Sequence, residues 1–260
     1  MTDKNKNYAA FIDIDGTLIT DTFTPPERNV KAIEKARKRG HKVFINTGRS
    51  LANIPDELRS YALTLDGVIS GNGSHIIYGG REIYAACFPD SLLESLCRFF
   101  LRREDAACLL EGIDEMFVLG SGRKCFGGCE NIITSMDDCR KKLLGHRISV
   151  AAVKGVSADE CLSRFGGEIE IYRYESFFDC VLKDCDKAKG IDIMLSAAGM
   201  PLERTIGIGD SANDLPMIDK CAIGVAMGNA DSLLKKAADY ITGTNKECGV
   251  ASAIEKLLLD

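Results

Sequence analysis

Asp13 and Asp15 stand one residue apart in Asp13-Ile14-Asp15-Gly16-Thr17, at the end of an apolar run that begins YAAFI. Two carboxylates this close repel each other, and burying them beside a strand adds a desolvation cost that something must offset. Three other apolar runs end in polar stretches: Asn46-Thr47-Gly48-Arg49, Asn72-Gly73, and Gly209-Asp210-Ser211-Ala212-Asn213-Asp214. In an open α/β sheet the ligand lies beyond the carboxyl ends of the strands, so these stretches are expected to meet. Asp13, Asp15, Asp210 and Asp214 would then converge, and only a cation or raised pKa values can neutralise them. An all-oxygen ligand set favours a hard cation, and partial hydration favours Mg²⁺ over Ca²⁺. The Thr47 hydroxyl and the ammonium of Lys187 or Lys189 suit a phosphate that the metal also holds. Phosphate, Mg²⁺ and a spare carboxylate together imply phosphoryl transfer or hydrolysis.

Each piece taken alone has a plainer reading. A lone Asp-x-Asp at a strand end serves as a turn or helix cap, Thr47 as an N-cap, and lysines such as Lys187 and Lys189 as solvated surface charges. The Gly-Ile-Gly-Asp of residues 207–210 also mimics part of a dinucleotide fingerprint. Their joint occurrence at the ends of successive strands is what favours a catalytic site.

The elements that must position these residues follow from periodicity. YAAFIDI, KVFIN and DGVIS read as strands buried on both faces, as a parallel sheet requires. A helix is expected from Pro25 to Arg39, with Val30, Ile33 and Arg37 on one side and Gly40 ending it. A short helix follows TGRS. From about Arg81 to Lys183 the rhythm changes to helices at 90–103, 135–144 and 157–164 among the strands AACLLEG, MFVL, ISVAAV, EIEIYRY and FFDCVL. Ser91 with Glu94 and Ser157 with Glu160 have capping-box spacing. The first rhythm then resumes with an Ile191, Met194, Leu195, Ala198 stripe ended by Gly199, the strands TIGIG, CAIGVAM and ADYIT, and a terminal helix bearing Val250, Ala253, Ile254, Leu257 and Leu258. The expected fold is α/β: a Rossmann-like parallel-sheet core from residues 1–80 and 186–260, with an inserted α+β domain at 81–185.

Composition narrows the function further. The chain has 260 residues, a net charge of −5 and no basic stripe, which excludes a counterion-displacing grip on nucleic acid. No apolar run is long enough to span a bilayer and the polar N-terminus resembles no signal peptide, so no membrane association and a cytoplasmic location are expected. The 11 cysteines are scattered without a CxxC, which favours reduced core residues over a disulfide framework. Cys125 and Cys129 come closest to a metal-ligand pair, but with 3 histidines, none nearby, a zinc site there is disfavoured.

Read together, DIDGTL, INTGR, the lysine of DKAKGIDIML and GIGDSANDLPMI resemble the four motifs of the haloacid dehalogenase-like hydrolases, in the Cof-type sugar-phosphate phosphatase branch. SGNGSHI and GVAMGNA are similar to further stretches of that family, and the resemblance covers nearly the whole chain, with the insertion standing where the family carries its large cap. It implies that Asp13 is the nucleophile forming an aspartyl-phosphate, and that Asp15 is the general acid and then the base that activates water. It also implies that Mg²⁺ is held by the Asp13 carboxylate, the Asp15 backbone carbonyl and Asp210, with Asp214 as acidic support. Thr47, Gly48, Asn213 and a lysine would bind the phosphate; helix register selects Lys187, whereas the family's Lys-Gly dipeptide selects Lys189. Ser211 stands where the family more usually has glycine, and it is tolerated unless that position needs a positive φ. In a regular strand, residues two apart share a face at about 7 Å, so both aspartates would flank one phosphorus.

The resemblance implies a Mg²⁺-dependent phosphatase of small phosphorylated metabolites, sugar phosphates first among them, acting as a monomer or weak homodimer. A phosphohexomutase of the same family is the enzymatic alternative; it would grip a second phosphate with Arg123, Lys124, Arg173 and Lys183. A non-catalytic phospho-metabolite sensor should have lost one of Asp13, Asp15 or Asp210, and a Rossmann cofactor site would need a glycine-rich turn where DIDGTL stands. LGSGRKCFGG and YRYESFF are candidate leaving-group contacts, and residues 71–74 and the approach to Lys187 candidate hinges.

Overall fold

A computed structural model describes residues 6–120, 126 and 129–260. In chain order it contains β1 (Ala9–Ile12), α1 (Glu27–Lys38), β2 (Lys42–Asn46), α2 (Asp56–Thr64), β3 (Gly67–Ser70), β4 (His75–Tyr78) and β5 (Arg81–Ala85). There follow α3 (Asp90–Phe100), β6 (Ala107–Gly112), β7 (Met116–Leu119), β8 (Ile132–Ile133), α4 (Met136–Asp138), β9 (Ile148–Lys154), α5 (Ala158–Phe165), β10 (Ile169–Arg173) and β11 (Phe178–Leu182). The chain closes with α6 (Lys187–Ala198), β12 (Thr205–Gly209), α7 (Leu215–Lys220), β13 (Ile223–Ala226), α8 (Ser232–Ala237), β14 (Tyr240–Ile241) and α9 (Gly249–Ile254).

Two compact units result: residues 1–48, 55–84 and 186–260 form one, and residues 49–54 and 85–185 the other. The first is built on a sheet ordered β14-β13-β12-β1-β2-β3-β4-β5. Neighbours from β14 to β3 run parallel, and β4 returns antiparallel on β3. The central strands β12, β1, β2 and β3 are buried almost throughout because both faces are covered; Phe11 and Phe44 stack at 5.0 Å between β1 and β2. Strand order runs outward from β1 in both directions, so the β1/β12 boundary is a topological switch point, where an α/β sheet opens its ligand crevice.

The second unit has a sheet ordered β10-β11-β9-β6-β7-β8, antiparallel except for the β7–β8 pair. Leu92, Leu96 and Phe100 of α3 and Cys161 and Phe165 of α5 bury one face together with Cys108, Leu110, Ala151 and Val153 of the strands. The described cysteines are free, and most are buried in the apolar interior.

Several local expectations are corrected. The buried face of α1 is Asn29, Ala32, Ile33 and Ala36, whereas Val30 and Arg37 are half-buried. Asn29 goes inside because its amide donates to the Leu18 carbonyl (3.2 Å) and its oxygen accepts from the Ala251 N–H (3.0 Å). Ser91 lies within α3, whose N-cap is Pro89, so its spacing with Glu94 forms no cap. Ser157 does cap α5, accepting from the Glu160 N–H at 3.1 Å, while the Glu160 carboxylate pairs with Arg103 instead of closing the box. Most of β5 carries the first unit to residue 84, beyond the boundary expected at 80. The Cys125 half of the cysteine pair, Arg123 and Lys124, and most of the glycine-rich loop lie outside the described residues.

Candidate active site

The chain leaves β1 at Ile12, one residue before the first aspartate. Asp13 stays anchored to the sheet, its N–H donating to the Ile208 carbonyl of β12 at 3.0 Å, and its carbonyl then accepts from Leu18 (3.2 Å) to close a wide turn. Within that turn Asp15 is extended (φ −76°, ψ 127°) and Gly16 left-handed (φ 72°). The regular-strand spacing expected for the two aspartates is therefore replaced by a turn that buries Asp13 and leaves Asp15 exposed. Gly16 is required there, because a β-carbon would stand 2.2 Å from Asp210 Oδ2.

Asp210 follows β12, the neighbour of β1, and Thr47 follows β2 on the other side. The Thr17 hydroxyl donates to Asp210 Oδ1 at 2.9 Å and fixes that carboxylate against the first turn. Asp214 is fully buried; its Oδ2 accepts from the N–H groups of Asp210 (2.9 Å) and Ser211 (3.0 Å). Ser211 has φ −123°, so serine there carries no backbone strain, and its hydroxyl donates to Asn213 Oδ1 at 2.7 Å. The small residue is absorbed as part of the loop's hydrogen bonding.

Lys187 opens α6, behind the N-cap Asp186, and is 0% exposed. Its ammonium donates to Asp13 Oδ1 at 2.6 Å and also to Asp214 Oδ1. Burial works to lower its pKa, but the two carboxylates outweigh burial and raise it, so it remains a cation. The helix start is held by Asn46, whose amide donates to the Lys187 carbonyl at 3.1 Å. Lys189 points elsewhere, with Nζ 5.9 Å from the centre of the Tyr84 ring.

Asp13, Asp210 and Asp214 each bring a carboxylate oxygen within 4.8 Å of the others. Burial raises the pKa of Asp13 well above its ordinary value, opposed by Lys187 and reinforced by Asp214, Asp210 and Asp15. Burial and Asp214 likewise push Asp210 up to about 7. Three carboxylates against one ammonium leave a formal charge of −2 in a largely buried site, the charge that one divalent cation offsets. The donor set is all oxygen, as a hard cation requires.

Thr47 and Gly48 are buried beside this cluster in the chain's second motif. A β-carbon at Gly48 would stand 3.0 Å from Asn213 Nδ2 and 3.3 Å from the Asn72 amide, so only glycine leaves that space open. Asp13, Thr47, Gly48, Asp210, Asn213 and Asp214 thus belong to one unit and one set of strand ends, with Lys187 of the same unit at the start of α6.

Sequence reasoning gave no role to Thr17, or to Asn229, whose amide donates to the Gly16 carbonyl at 2.8 Å and whose oxygen accepts from the Asn245 N–H at 2.9 Å. The GVAMGNA stretch was the available signal for Asn229. Residues 71–74, expected as a hinge, are buried, and Asn72 N–H donates to the Thr47 carbonyl at 3.1 Å. In the second unit, Arg173 already pairs with Asp159 at 2.8 Å.

The profile of the haloacid dehalogenase-like hydrolases matches residues 10–254. The chain is 30% identical over 249 residues to the 5-amino-6-(5-phospho-D-ribitylamino)uracil phosphatase YcsE of Bacillus subtilis, covering 95% of this chain and 94% of that one. It is 26% identical over 256 residues to a phosphoglycolate phosphatase of Methanothermobacter thermautotrophicus, covering 96% and 98%. The solved structure of the subclass IIB sugar phosphatase BT4131 superposes with a TM-score of 0.80 at 30% identity, over 96% of this chain and 98% of that one. The family is generally metal-dependent, in keeping with the acidic triad around Lys187. The chain belongs to the haloacid dehalogenase-like hydrolases, in their Cof-type phosphatase branch.

Proposed function

We propose that the chain is a Mg²⁺-dependent phosphatase of small phosphorylated metabolites, with sugar phosphates the leading class. One observation carries this reading: the buried Lys187 ammonium lies on Asp13 at 2.6 Å, beside Asp210 and Asp214, at the crevice end of the sheet. A lysine so placed opposes the burial that raises the Asp13 pKa, and so favours the ionised form that a nucleophile needs. Asp13 attacks phosphorus through a carboxylate oxygen, the bond from phosphorus to the leaving oxygen breaks, and Asp15, acting as the general acid, gives that oxygen a proton. Asp15, now a carboxylate and exposed, takes a proton from water as the water attacks the aspartyl-phosphate; inorganic phosphate leaves and Asp13 is restored. Thr47, Gly48, Asn213 and Lys187 hold the non-bridging oxygens.

The residues that would hold the cation are Asp13 and Asp210, with Asp214 in support and the Asp15 carbonyl as a backbone donor. When bound, the cation supplies charge neutralisation and Lewis-acid polarisation of the phosphoryl oxygens. The inserted domain is proposed to select the leaving group, because the strand-end residues see only the phosphate. Named relatives act on chemically distinct phosphate esters, a ribitylaminouracil phosphate and phosphoglycolate, which supports a shared phosphate site with divergent leaving-group contacts.

A panel of phosphate monoesters, including sugar phosphates and the two esters above, screened with and without Mg²⁺, tests this reading. Turnover that needs Mg²⁺ and disappears in Asp13→Asn and Asp15→Asn is expected. Metal-independent release, or full activity in Asp13→Asn, would overturn it; isomerisation outpacing phosphate release would favour a mutase.

A further inference from the structure

Asn72 sits just past β3, is 0% exposed, and holds φ at 52°. Asparagine adopts the left-handed region more readily than other residues with a β-carbon, but glycine would adopt it more freely still. The side chain carries a second cost, since the buried Nδ2 has no hydrogen-bond acceptor among the described residues. Glycine at this position would remove both. What glycine could not do is accept the hydrogen bond that Asn213 Nδ2 donates to Asn72 Oδ1 at 3.2 Å.

That hydrogen bond completes a chain. The Ser211 hydroxyl donates to Asn213 Oδ1, Asn213 Nδ2 donates to Asn72 Oδ1, and the Asn72 N–H donates to the Thr47 carbonyl. The loop after β12 is thereby tied to the end of β2 through one side chain on the end of β3. Gly48 lies between, with the Asn213 and Asn72 amides on the space its missing β-carbon would fill. Strain retained beside a site, where a simpler residue would relieve it, points to a positional role.

We propose that Asn72 is a positioning residue of the phosphoryl site, which sets the Asn213 amide against Thr47 and Gly48 so that an oxygen of the phosphate is received between them. This rests on the phosphatase reading above. It adds a member on β3 to a site otherwise drawn from β1, β2, β12 and α6. The substitution Asn72→Gly keeps the backbone N–H to Thr47 and removes only the side chain, so its effect on the site passes through Asn213.

The test measures three things on wild type, Asn72→Gly, Asn213→Ala and the double variant: melting temperature, kcat and KM on 4-nitrophenyl phosphate with Mg²⁺, and inorganic phosphate affinity by calorimetry. Asn72→Gly should still melt cooperatively near the wild-type temperature, because loss of the left-handed side chain and of its unpaired amide offsets the hydrogen bond taken from Asn213. Its kcat/KM should fall about 10- to 100-fold, as when a group orienting a catalytic ligand is lost, and phosphate binding should weaken about fivefold or more. In the Asn213→Ala background the same change should cost less than about threefold, since the two act as one unit. The proposal is overturned if Asn72→Gly keeps kcat/KM and phosphate affinity within about twofold of wild type, if the two losses multiply, or if the variant loses its melting transition. Absent turnover in wild type would overturn the phosphatase reading itself, and phosphate affinity would then decide the role of Asn72 alone.

Discussion

The Lys187 ammonium lies 2.6 Å from Asp13 Oδ1 with no exposure to solvent, and Asp214 shares the same ammonium. Removing one partner of a buried ion pair leaves the other charge unpaired, which costs about 3–5 kcal/mol. Lys187→Met, of similar length, should therefore lower the melting temperature by roughly 6–20 °C for a domain of this size, and abolish turnover. Lys189→Met should do neither, because Lys189 faces Tyr84 and not the carboxylates. Calorimetric melting and activity of the two variants check this directly; equal effects would remove Lys187 from its assigned place.

Gly16 stands against Asp210 with no room for a methyl group. Gly16→Ala must either push Asp210 aside or abandon a left-handed turn, at about 1–2 kcal/mol for the backbone alone. The fold should survive a change of that size. Mg²⁺ affinity, read by isothermal calorimetry, should drop at least about tenfold, because Asp210, a ligand on the proposed reading, is displaced. Unchanged Mg²⁺ binding in a folded Gly16→Ala would show that Asp210 is no ligand.

Much of this site was legible because its residues lie at the ends of apolar runs, and a parallel sheet gathers such ends whatever loops intervene. Asp13, Thr47, Asp210 and Asp214 are found that way, and the helix register of Ile191, Met194 and Leu195 selects the lysine that is buried. The geometry of the aspartate pair was not legible. It depends on where β1 lets go of the sheet, and the turn closed by Leu18 onto Asp13 is a backbone choice that no side-chain pattern announces. Asn72 and Thr17 were missed as partners because their bonds reach 141 and 193 residues along the chain, and pairwise matching of polar groups at that separation needs coordinates. The segment 49–54, which packs with the second unit while following a motif of the first, escaped for the same reason.

Thr17 turns that long-range bond into a measurable quantity. Its hydroxyl orients Asp210 at 2.9 Å, and a group that orients a metal ligand is typically worth about 10–100-fold in metal affinity. Thr17→Val keeps the shape and loses the donor, so the Mg²⁺ concentration for half-maximal activity should rise by roughly that factor, with saturating kcat much less affected. Thr17→Ser should restore it. A fall in kcat at saturating Mg²⁺, with no change in the metal requirement, would place Thr17 in the chemical step instead.

Asp179, on β11 in the second unit, is 7% exposed and faces Glu111, Arg49 and Tyr174. Burial raises its pKa well above the usual carboxylate range; the Glu111 carboxylate adds to that, while the Tyr174 hydroxyl and Arg49 oppose it. A carboxyl whose pKa is higher in the folded protein than in the unfolded chain binds its proton more tightly when folded. Stability then falls as pH rises from the unfolded pKa, about 3.9, through the folded one. Asp179→Asn keeps an acceptor for the Tyr174 hydroxyl and cannot ionise. At pH 8 the variant should melt a few degrees above wild type, about 2–4 °C for each kcal/mol relieved, and the difference should close as pH is lowered toward 4. Melting curves of both proteins across that range decide it: a variant less stable at pH 8 would mean that the ionised carboxylate is favourably held, and that Arg49 outweighs burial and Glu111 together.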